Sequence, residues 1–191
     1  MGRARIYRRR AAGFSLLELL LALGLGLGVC ALMLQSVMAE GQNGQRLARL
    51  LRERQVASRA LTLLRSDLQR ATEVASSAGP GGQAAACKLA GRAVLLHLQT
   101  AEGPITYSVG RPAEPIWRGQ VLMRCGPAFG LDGSPSTGQA LNRVVLDGLA
   151  VGGSVALQQG PGTLRVELRQ QLPLPGQPSQ LLTHERLLPM P

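Results

Sequence analysis

The chain has 191 residues, of which 45% are hydrophobic and only 3% aromatic, and its formal net charge is +10. Its length suffices for one domain of ordinary size, but the scarcity of aromatic residues excludes a large aromatic core. The sequence after Arg70 holds nine basic against seven acidic residues. The excess positive charge therefore lies in the N-terminal part, and the C-terminal part is not predicted to be a basic, nucleic-acid-binding domain.

The first 13 residues form a short basic leader, which contains Arg3, Arg5, Arg8, Arg9 and Arg10. Such a cluster holds the N-terminus of a membrane segment in the cytoplasm. An apolar segment, residues 14–38, follows, and its first part reads FSLLELLLALGLGLGVCALML. At about 1.5 Å per residue this run reaches roughly 30 Å, the thickness of the hydrocarbon core of a bilayer. The sequence predicts a transmembrane helix.

Residues 39–78 have the pattern of an amphipathic helix. Gly41 and Gly44 lower helical propensity near its start, and a segment rich in Ser and Gly, residues 76–83, is predicted to end it. The apolar positions recur at spacings of three and four residues, and they are Leu47, Leu50, Leu51, Ala57, Ala60, Leu61, Leu64, Leu68 and Ala71. The opposite face carries Arg46, Arg49, Arg52, Arg59 and Arg70.

Residues 79–191 contain short runs typical of β-strands, separated by Gly and Pro clusters. Together with the amphipathic helix, which can cover one face of a sheet, these runs predict an α+β fold with a small antiparallel β-sheet. The Pro-rich segments 172–179 and 189–191 are interpreted as an irregular tail. The predicted strands are residues 93–98, 105–109, 116–124, 143–146, 154–157 and 164–168.

The three cysteines lie in different surroundings. Cys30 belongs to the apolar run, whereas Cys87 and Cys125 lie in the polar half of the chain. If that half is exported, Cys87 and Cys125 are expected to form a disulfide. The alternative is a pair of unrelated buried thiols.

Glu18 is an anomaly within the apolar run. An unpaired charge in hydrocarbon costs about 2.5 to 3.5 kcal/mol on insertion scales, so a carboxylate there is expected to be functional and to have a cationic partner. Residues 14–38 contain no Lys or Arg that could be this partner.

The segment Gly13-Phe14-Ser15-Leu16-Leu17-Glu18, directly after the arginine cluster, resembles the prepilin signal of type IV pilins and type II secretion pseudopilins. The resemblance implies a pilin-like fold, in which a long N-terminal helix packs on the sheet. It also implies that a membrane-embedded aspartyl peptidase cleaves between Gly13 and Phe14 and methylates the new amine of Phe14. The Phe14 amine of one subunit would then pair with the Glu18 carboxylate of its neighbour.

A second stretch, residues 59–71, resembles the amphipathic helix of minor pilins and minor pseudopilins of the W and J types. The two resemblances imply a minor structural subunit of a type IV pilus, which acts in filament assembly, priming or at the tip. The implied partners are the prepilin peptidase, other pilins through the N-terminal helix, and the bacterial inner membrane, from which the C-terminal domain is exported. The alternative is a minor pseudopilin of a type II secretion system.

Three other interpretations of the apolar run stay open. Val37-Met38-Ala39 offers small residues near a signal-peptidase cut, which would make the chain a secreted protein. Residues 27–30 faintly resemble a lipobox, although Val29 is larger than the small residue usual before the cysteine. Gly24 and Gly28 have the spacing of a helix-dimer motif, as in a single-pass receptor or adaptor.

An enzyme is not predicted, and neither a cofactor nor a metal is expected. His97 and His184 are the only histidines, and neither has metal-ligand spacing to Cys, Asp or Glu. The arginine-bearing helix face leaves a weak electrostatic contact with DNA as an alternative, but few aromatic side chains are present to stack on bases.

Overall fold

The computed structural model describes residues 15–76, 87–136, 139–174 and 177–191. The chain divides into two compact units, Met1–Leu51 and Arg52–Pro191. The described residues form one helix and one antiparallel sheet, so the fold class is α+β, as the sequence predicts. The elements are α1 (Leu16–Arg70), β1 (Ala71–Ser76), β2 (Ala93–Thr100), β3 (Gly103–Gly110), β4 (Gln120–Gly126), β5 (Leu141–Leu149), β6 (Val155–Gly160), β7 (Thr163–Leu174) and β8 (Gln177–Pro189).

Helix α1 runs without interruption through Gly41 and Gly44. Leu, Ala, Arg and Gln, which are good helix formers, make up most of its sequence and outweigh the two glycines. The helix ends at Arg70, whereas the sequence predicts helix to residue 78. Strand β1 follows immediately, because residues 71–76 pair with β2, and this pairing prevails over helical propensity. A register shift between Ala71 and Glu73 marks the change from helix to strand.

The sheet is larger than the sequence predicts, with eight strands in the described part of the chain. Strands β1 to β5 follow one another in space in the order of the sequence, each antiparallel to the next. Strand β7 pairs with β6 and with β8, and it meets β5 at one pair of residues, Leu149 and Gln170. The join between β5 and β7 is therefore short.

The interpretation of segment 172–179 as part of an irregular tail is wrong for its described residues, whereas Met190 and Pro191 follow the last strand without regular secondary structure. Strands β7 and β8 form a long hairpin, in which β8 is an edge strand of the sheet. Proline lacks an N–H group and is tolerated at edges and bulges, and here Pro173 lies at a register shift while Pro178 and Pro189 lie on the edge strand. The predicted strand 116–124 is also shorter, since β4 begins at Gln120.

The hydrophobic core of the unit Arg52–Pro191 lies between the C-terminal part of α1 and one face of the sheet. From residue 57 onward the apolar face predicted for the helix is buried, whereas Leu47 and Leu51 are more than half exposed. The core residues from α1 and β1 are Ala57, Ala60, Leu61, Leu64, Leu68 and Ala71, and those from the other strands are Leu96, Leu98, Ile105, Tyr107, Leu122, Leu146, Leu149, Leu164, Val166, Leu168 and Leu188.

Candidate functional site

The N-terminal part of α1 presents an apolar surface that nothing in the described part of the molecule covers. Leu16–Met38, 23 residues, is long and apolar enough to cross a membrane, and none of it is buried. Its leucines are 56% to 78% exposed. Burying apolar area stabilises by about 25 cal/mol per Å², so this surface favours a second apolar environment, either lipid or neighbouring helices. A signal sequence passes the same test of length and composition, so the test does not separate those two interpretations.

Glu18 is the only charged residue of Leu16–Met38 and lies in the first turn of α1, where it is exposed. Ser15 is the N-cap: its Oγ accepts a hydrogen bond from the backbone N–H of Glu18 at 3.2 Å. The Ser-x-x-Glu spacing is that of a capping box, and a carboxylate is favourable at the positive end of the helix dipole. Ser15 therefore caps the helix, and Glu18 occupies the position at which a carboxylate favours helix initiation, as the Ser-x-x-Glu pattern could have indicated.

The other residues of the predicted processing site, Gly13 and Phe14, lie outside the described residues, as does the basic leader. Cleavage after Gly13, methylation of Phe14 and the pairing of Phe14 with Glu18 therefore stay predictions. What the structure adds is that α1 begins at Leu16, two residues after Phe14.

Cys87 and Cys125 form a disulfide, with their Cα atoms 5.9 Å apart. This confirms the predicted pairing, and the alternative of two unrelated thiols is wrong. The bond joins the segment before β2 to the buried strand β4, and the two cysteines are 38 residues apart in the sequence. It therefore ties the segment that precedes β2 to the centre of the sheet.

A buried ionic cluster links α1 to the strand that carries this disulfide. The Asp67 side chain is completely buried, because it lies on the helix face that packs on the strands. Arg124 Nε donates to Asp67 Oδ2 at 2.6 Å, and Arg124 Nη2 donates to Oδ1 at 3.2 Å. Tyr107 Oη donates to Oδ2 at 2.6 Å, and Arg70 Nη2 donates to Oδ1 at 2.5 Å. One carboxylate thus receives four hydrogen bonds, three of them from guanidinium groups.

The cluster changes the proton affinity of the groups around Asp67. Burial raises the pKa of Tyr107 well above its ordinary value of 10.0, and the charge and hydrogen bond of Asp67 raise it further. Burial lowers the pKa of Arg124, but the hydrogen bonds and charge of Asp67 outweigh that effect, so that the pKa is raised overall. Tyr107 is therefore neutral and Arg124 charged at neutral pH, which is the state in which both donate to Asp67.

A second ionic cluster links α1 to the sheet, and it is more exposed. Arg118 Nη2 donates to Glu53 Oε1 at 2.7 Å, and Arg118 Nε lies 3.4 Å from Asp147 Oδ2. The hydrogen bond to Glu53 is the main reason that the pKa of Arg118 is raised. The buried Gln170, at the short join between β5 and β7, donates to the carbonyl oxygen of Asp147 at 3.1 Å.

The two histidines have structural surroundings. His97 Nδ1 lies 3.0 Å from Thr106 Oγ1 across the pair β2–β3. His184 lies on β8, and burial, followed by the charge of Arg54, lowers its pKa. Among the described residues, no three His, Cys, Asp or Glu come close enough together to hold a metal ion. That the chain has no catalytic activity and no cofactor stays a prediction.

The residues on which the lipobox and helix-dimer interpretations depend, Cys30, Gly24 and Gly28, all lie within helix α1. Cys30 is a free, exposed thiol within α1. Gly24 and Gly28 have no atom of another element within 4 Å of the position that a Cβ would take. Neither arrangement favours a lipid anchor or a helix dimer over a bare apolar helix.

No family model, no curated protein and no solved structure matches this chain. Support for any function therefore comes from the residues and contacts of the chain itself.

Proposed function

We propose that this chain is a prepilin, which is cleaved after Gly13 and becomes a minor subunit of a type IV pilus. The observation that carries the proposal is the exposed apolar helix Leu16–Met38 with a single charge, Glu18, in its first turn. An acid at this position of a membrane span is costly unless it meets a cation. In a filament, the Phe14 amine of a neighbouring subunit would be that cation.

The α+β fold of the unit Arg52–Pro191, a helix packed on an antiparallel sheet, also supports the proposal. In the pilin-like fold that the resemblance implies, the second half of the long helix packs on the sheet. Here residues 57–71 contribute a buried face to the core with the sheet, and Asp67 and Glu53 each connect α1 to a strand or loop through an arginine. The disulfide suits an exported domain, because disulfides persist in oxidising compartments.

The proposed activity is assembly, without a chemical reaction of its own. The prepilin peptidase would cleave and methylate the chain at the cytoplasmic face of the inner membrane. The apolar helix would then leave the lipid and pack among the helices of other pilins, which replaces lipid contacts with helix contacts. A minor pseudopilin of a type II secretion system is the second candidate, since it shares the same processing site and helix.

The role of Glu18 is tested with two substitutions that separate charge from capping. Glu18→Gln keeps a residue that a capping box accepts, whereas Glu18→Leu removes both the charge and the capping function. If Glu18 pairs with an amine, both variants should be inserted and cleaved normally, and both should be depleted from sheared filaments. Insertion should be no worse than in wild type, because removing the charge lowers the cost of about 2.5 to 3.5 kcal/mol.

The measurement compares processed protein in the inner membrane with protein in sheared filaments, for the wild type and both variants. Glu40→Gln is the matched control, because it removes a carboxylate from the same helix outside Leu16–Met38. Normal incorporation of Glu18→Gln together with loss of Glu18→Leu would show that Glu18 only caps the helix. Normal incorporation of both would remove the proposed charge pair.

A further inference from the structure

A half-open cavity of about 250 Å³ lies between α1 and the strands β4 and β5, beside the buried cluster around Asp67. Its walls are mostly apolar, and they include Leu63 from α1, Phe129 from the loop after β4, and Val145 from β5. A shallower groove continues from it along α1 and shares Leu63 and Phe129 with it. The cavity is slightly smaller than the roughly 300 Å³ at which small-molecule sites begin, and its size suits one bulky side chain.

Three arginines and no carboxylate line this cavity. Arg124 is buried, and its charge is neutralised by Asp67, whereas Arg59 on α1 and Arg143 on β5 are exposed. The side chains of Arg59 and Arg143 form no hydrogen bond or ion pair within the part of the chain that the structure describes. All eleven Asp and Glu residues of the chain lie in that part, and none of them forms an ion pair with either arginine.

The surroundings of Phe129 add to this imbalance of charge. The guanidinium carbons of Arg70 and Arg124 each lie 5.1 Å from the centroid of the Phe129 ring. Asp67 is the one carboxylate that these two arginines share. Asp132, in the same loop as Phe129, accepts its hydrogen bonds from Ser134 and does not line the cavity. The region is therefore apolar inside and positive at its mouth.

We infer that this cavity is a docking site for a segment of a partner protein that carries a bulky aliphatic side chain flanked by carboxylates. The aliphatic side chain would enter the cavity between Leu63 and Val145. The flanking carboxylates would pair with Arg59 and Arg143 at its mouth, where charge complementarity fixes the position of the segment. This site is independent of the apolar helix on which the proposed function rests.

A protein segment fits the cavity better than the other anionic partners. A lipid surface or a nucleic acid presents many phosphates to a broad positive face, but neither supplies a single buried side chain. The shared groove along α1 is lined by Gln55, Ser58 and Thr62, whose polar groups can bond to the backbone of a bound segment. An aromatic platform for bases is also missing from the described lining of the cavity, since Phe129 is its one aromatic residue.

The test measures fluorescence anisotropy of a peptide that carries an uncharged dye and has the sequence Ser-Gly-Asp-Leu-Asp-Gly-Ser. The peptide is titrated with the full chain in detergent micelles. Saturable binding is expected, and it should weaken as salt rises, because exposed charge pairs are screened. Replacing both peptide aspartates with asparagine, or its leucine with serine, should each weaken binding by about three- to tenfold.

The protein variants address the two parts of the site separately. Arg59→Glu/Arg143→Glu should abolish binding of the acidic peptide and should create binding of the matching Lys-Leu-Lys peptide. Leu63→Trp fills the cavity without a change of charge and should weaken binding by about tenfold. Arg65→Glu is the matched control, because Arg65 is exposed on the same helix but lines neither the cavity nor the groove.

The proposal is overturned if the acidic peptide shows no saturable binding up to about 1 mM, a concentration at which even very weak complexes form. It is also overturned if Arg65→Glu weakens binding as much as the double variant, which would mean a non-specific charge effect. Phosphatidylglycerol vesicles and a single-stranded DNA oligomer are tested in the same way. If one of them binds through Arg59 and Arg143 while the peptide does not bind, the partner is a lipid surface or a nucleic acid and the proposed protein segment is wrong. Circular dichroism of each variant and the intact Cys87–Cys125 disulfide confirm that it is folded.

Discussion

Asp67 is the residue that most directly fixes α1 to the sheet. It is a completely buried carboxylate, and a buried charge is tolerable only when it is paired and fully hydrogen-bonded. Arg124 supplies both of the bidentate hydrogen bonds, from a strand 57 residues away in the sequence. The pair therefore joins the helix turn that carries Asp67 to strand β4.

Substituting Asp67 by Asn should lower the free energy of unfolding of the Arg52–Pro191 unit by about 3 to 5 kcal/mol, because Arg124 is left buried without a counter-ion. Urea unfolding of the full chain in detergent, followed by circular dichroism, measures the change. Asp132→Asn is the control, and little change in stability is expected there, since that carboxylate is exposed. Adding Arg124→Met to Asp67→Asn should recover part of the lost stability. If Asp67→Asn alone is as stable as wild type, Asp67 does not stabilise the packing of α1 on the sheet.

Tyr107 makes stability fall at high pH. Its pKa is raised in the folded state above the ordinary 10.0, so above about pH 10 the unfolded chain loses this proton while the folded chain keeps it. The unfolded state then binds fewer protons, and the free energy of unfolding falls by up to about 1.4 kcal/mol per pH unit until the folded pKa is reached.

Tyr107→Phe should lower the free energy of unfolding at pH 8 by about 1.5 to 3 kcal/mol, since the hydrogen bond to the Asp67 carboxylate is lost. The same variant should lose less stability than wild type between about pH 10 and pH 11, because it lacks the titrating phenol. Chemical unfolding at these pH values provides the comparison. Parallel decreases in the two proteins would mean that another group titrates.

At the scale of elements, local sequence patterns predict the parts of the fold that depend on local physics. The period of apolar residues from Ala57 to Ala71 gives the buried face of α1, and the Cys87–Cys125 pair follows from their location in the chain. The strands β2, β3 and β5 to β7 are all present where valine- and leucine-rich runs indicate them.

Two strands escape prediction from local patterns because their pairing decides their structure. Strand β1 has a helical period up to Ala71 and becomes a strand through its pairing with β2. The prolines of strand β8 favour an irregular segment when the sequence is considered alone, but an edge strand tolerates them. The position of Asp67, three residues after Leu64 and one before Leu68, does place a carboxylate on the apolar face. Its partner Arg124 could not be identified from the sequence, since only the fold brings the two together.

The disulfide contributes at this scale by restricting the unfolded chain. Replacing Cys87 and Cys125 with alanine should lower the free energy of unfolding by about 3 to 4 kcal/mol, the chain-entropy value for a loop of this length. The matched control is Cys30→Ala, which removes an exposed free thiol and should change stability little. Urea unfolding of both variants without reductant gives the comparison, and equal stabilities of the two would contradict this contribution.

At the scale of the whole molecule, the chain combines two units with different chemical needs. Within Met1–Leu51, the described helix exposes a long apolar surface, and Arg52–Pro191 has its own hydrophobic core and disulfide. In the proposed function, the first unit serves in the membrane and then in a filament, and the second is the exported domain. The central claim is that the basic leader is removed at Gly13.

The measurement that tests this claim most directly is the intact mass of the chain, together with its N-terminal sequence, after extraction from the membrane of cells that express a prepilin peptidase. We expect a mature chain that begins at Phe14 and carries one N-methyl group, which adds the mass of CH2 to the unmethylated chain. Loss of the peptidase gene should leave the full-length chain. A mature start at Glu40, a lipid on Cys30, or an uncleaved chain in cells with active peptidase would contradict the claim.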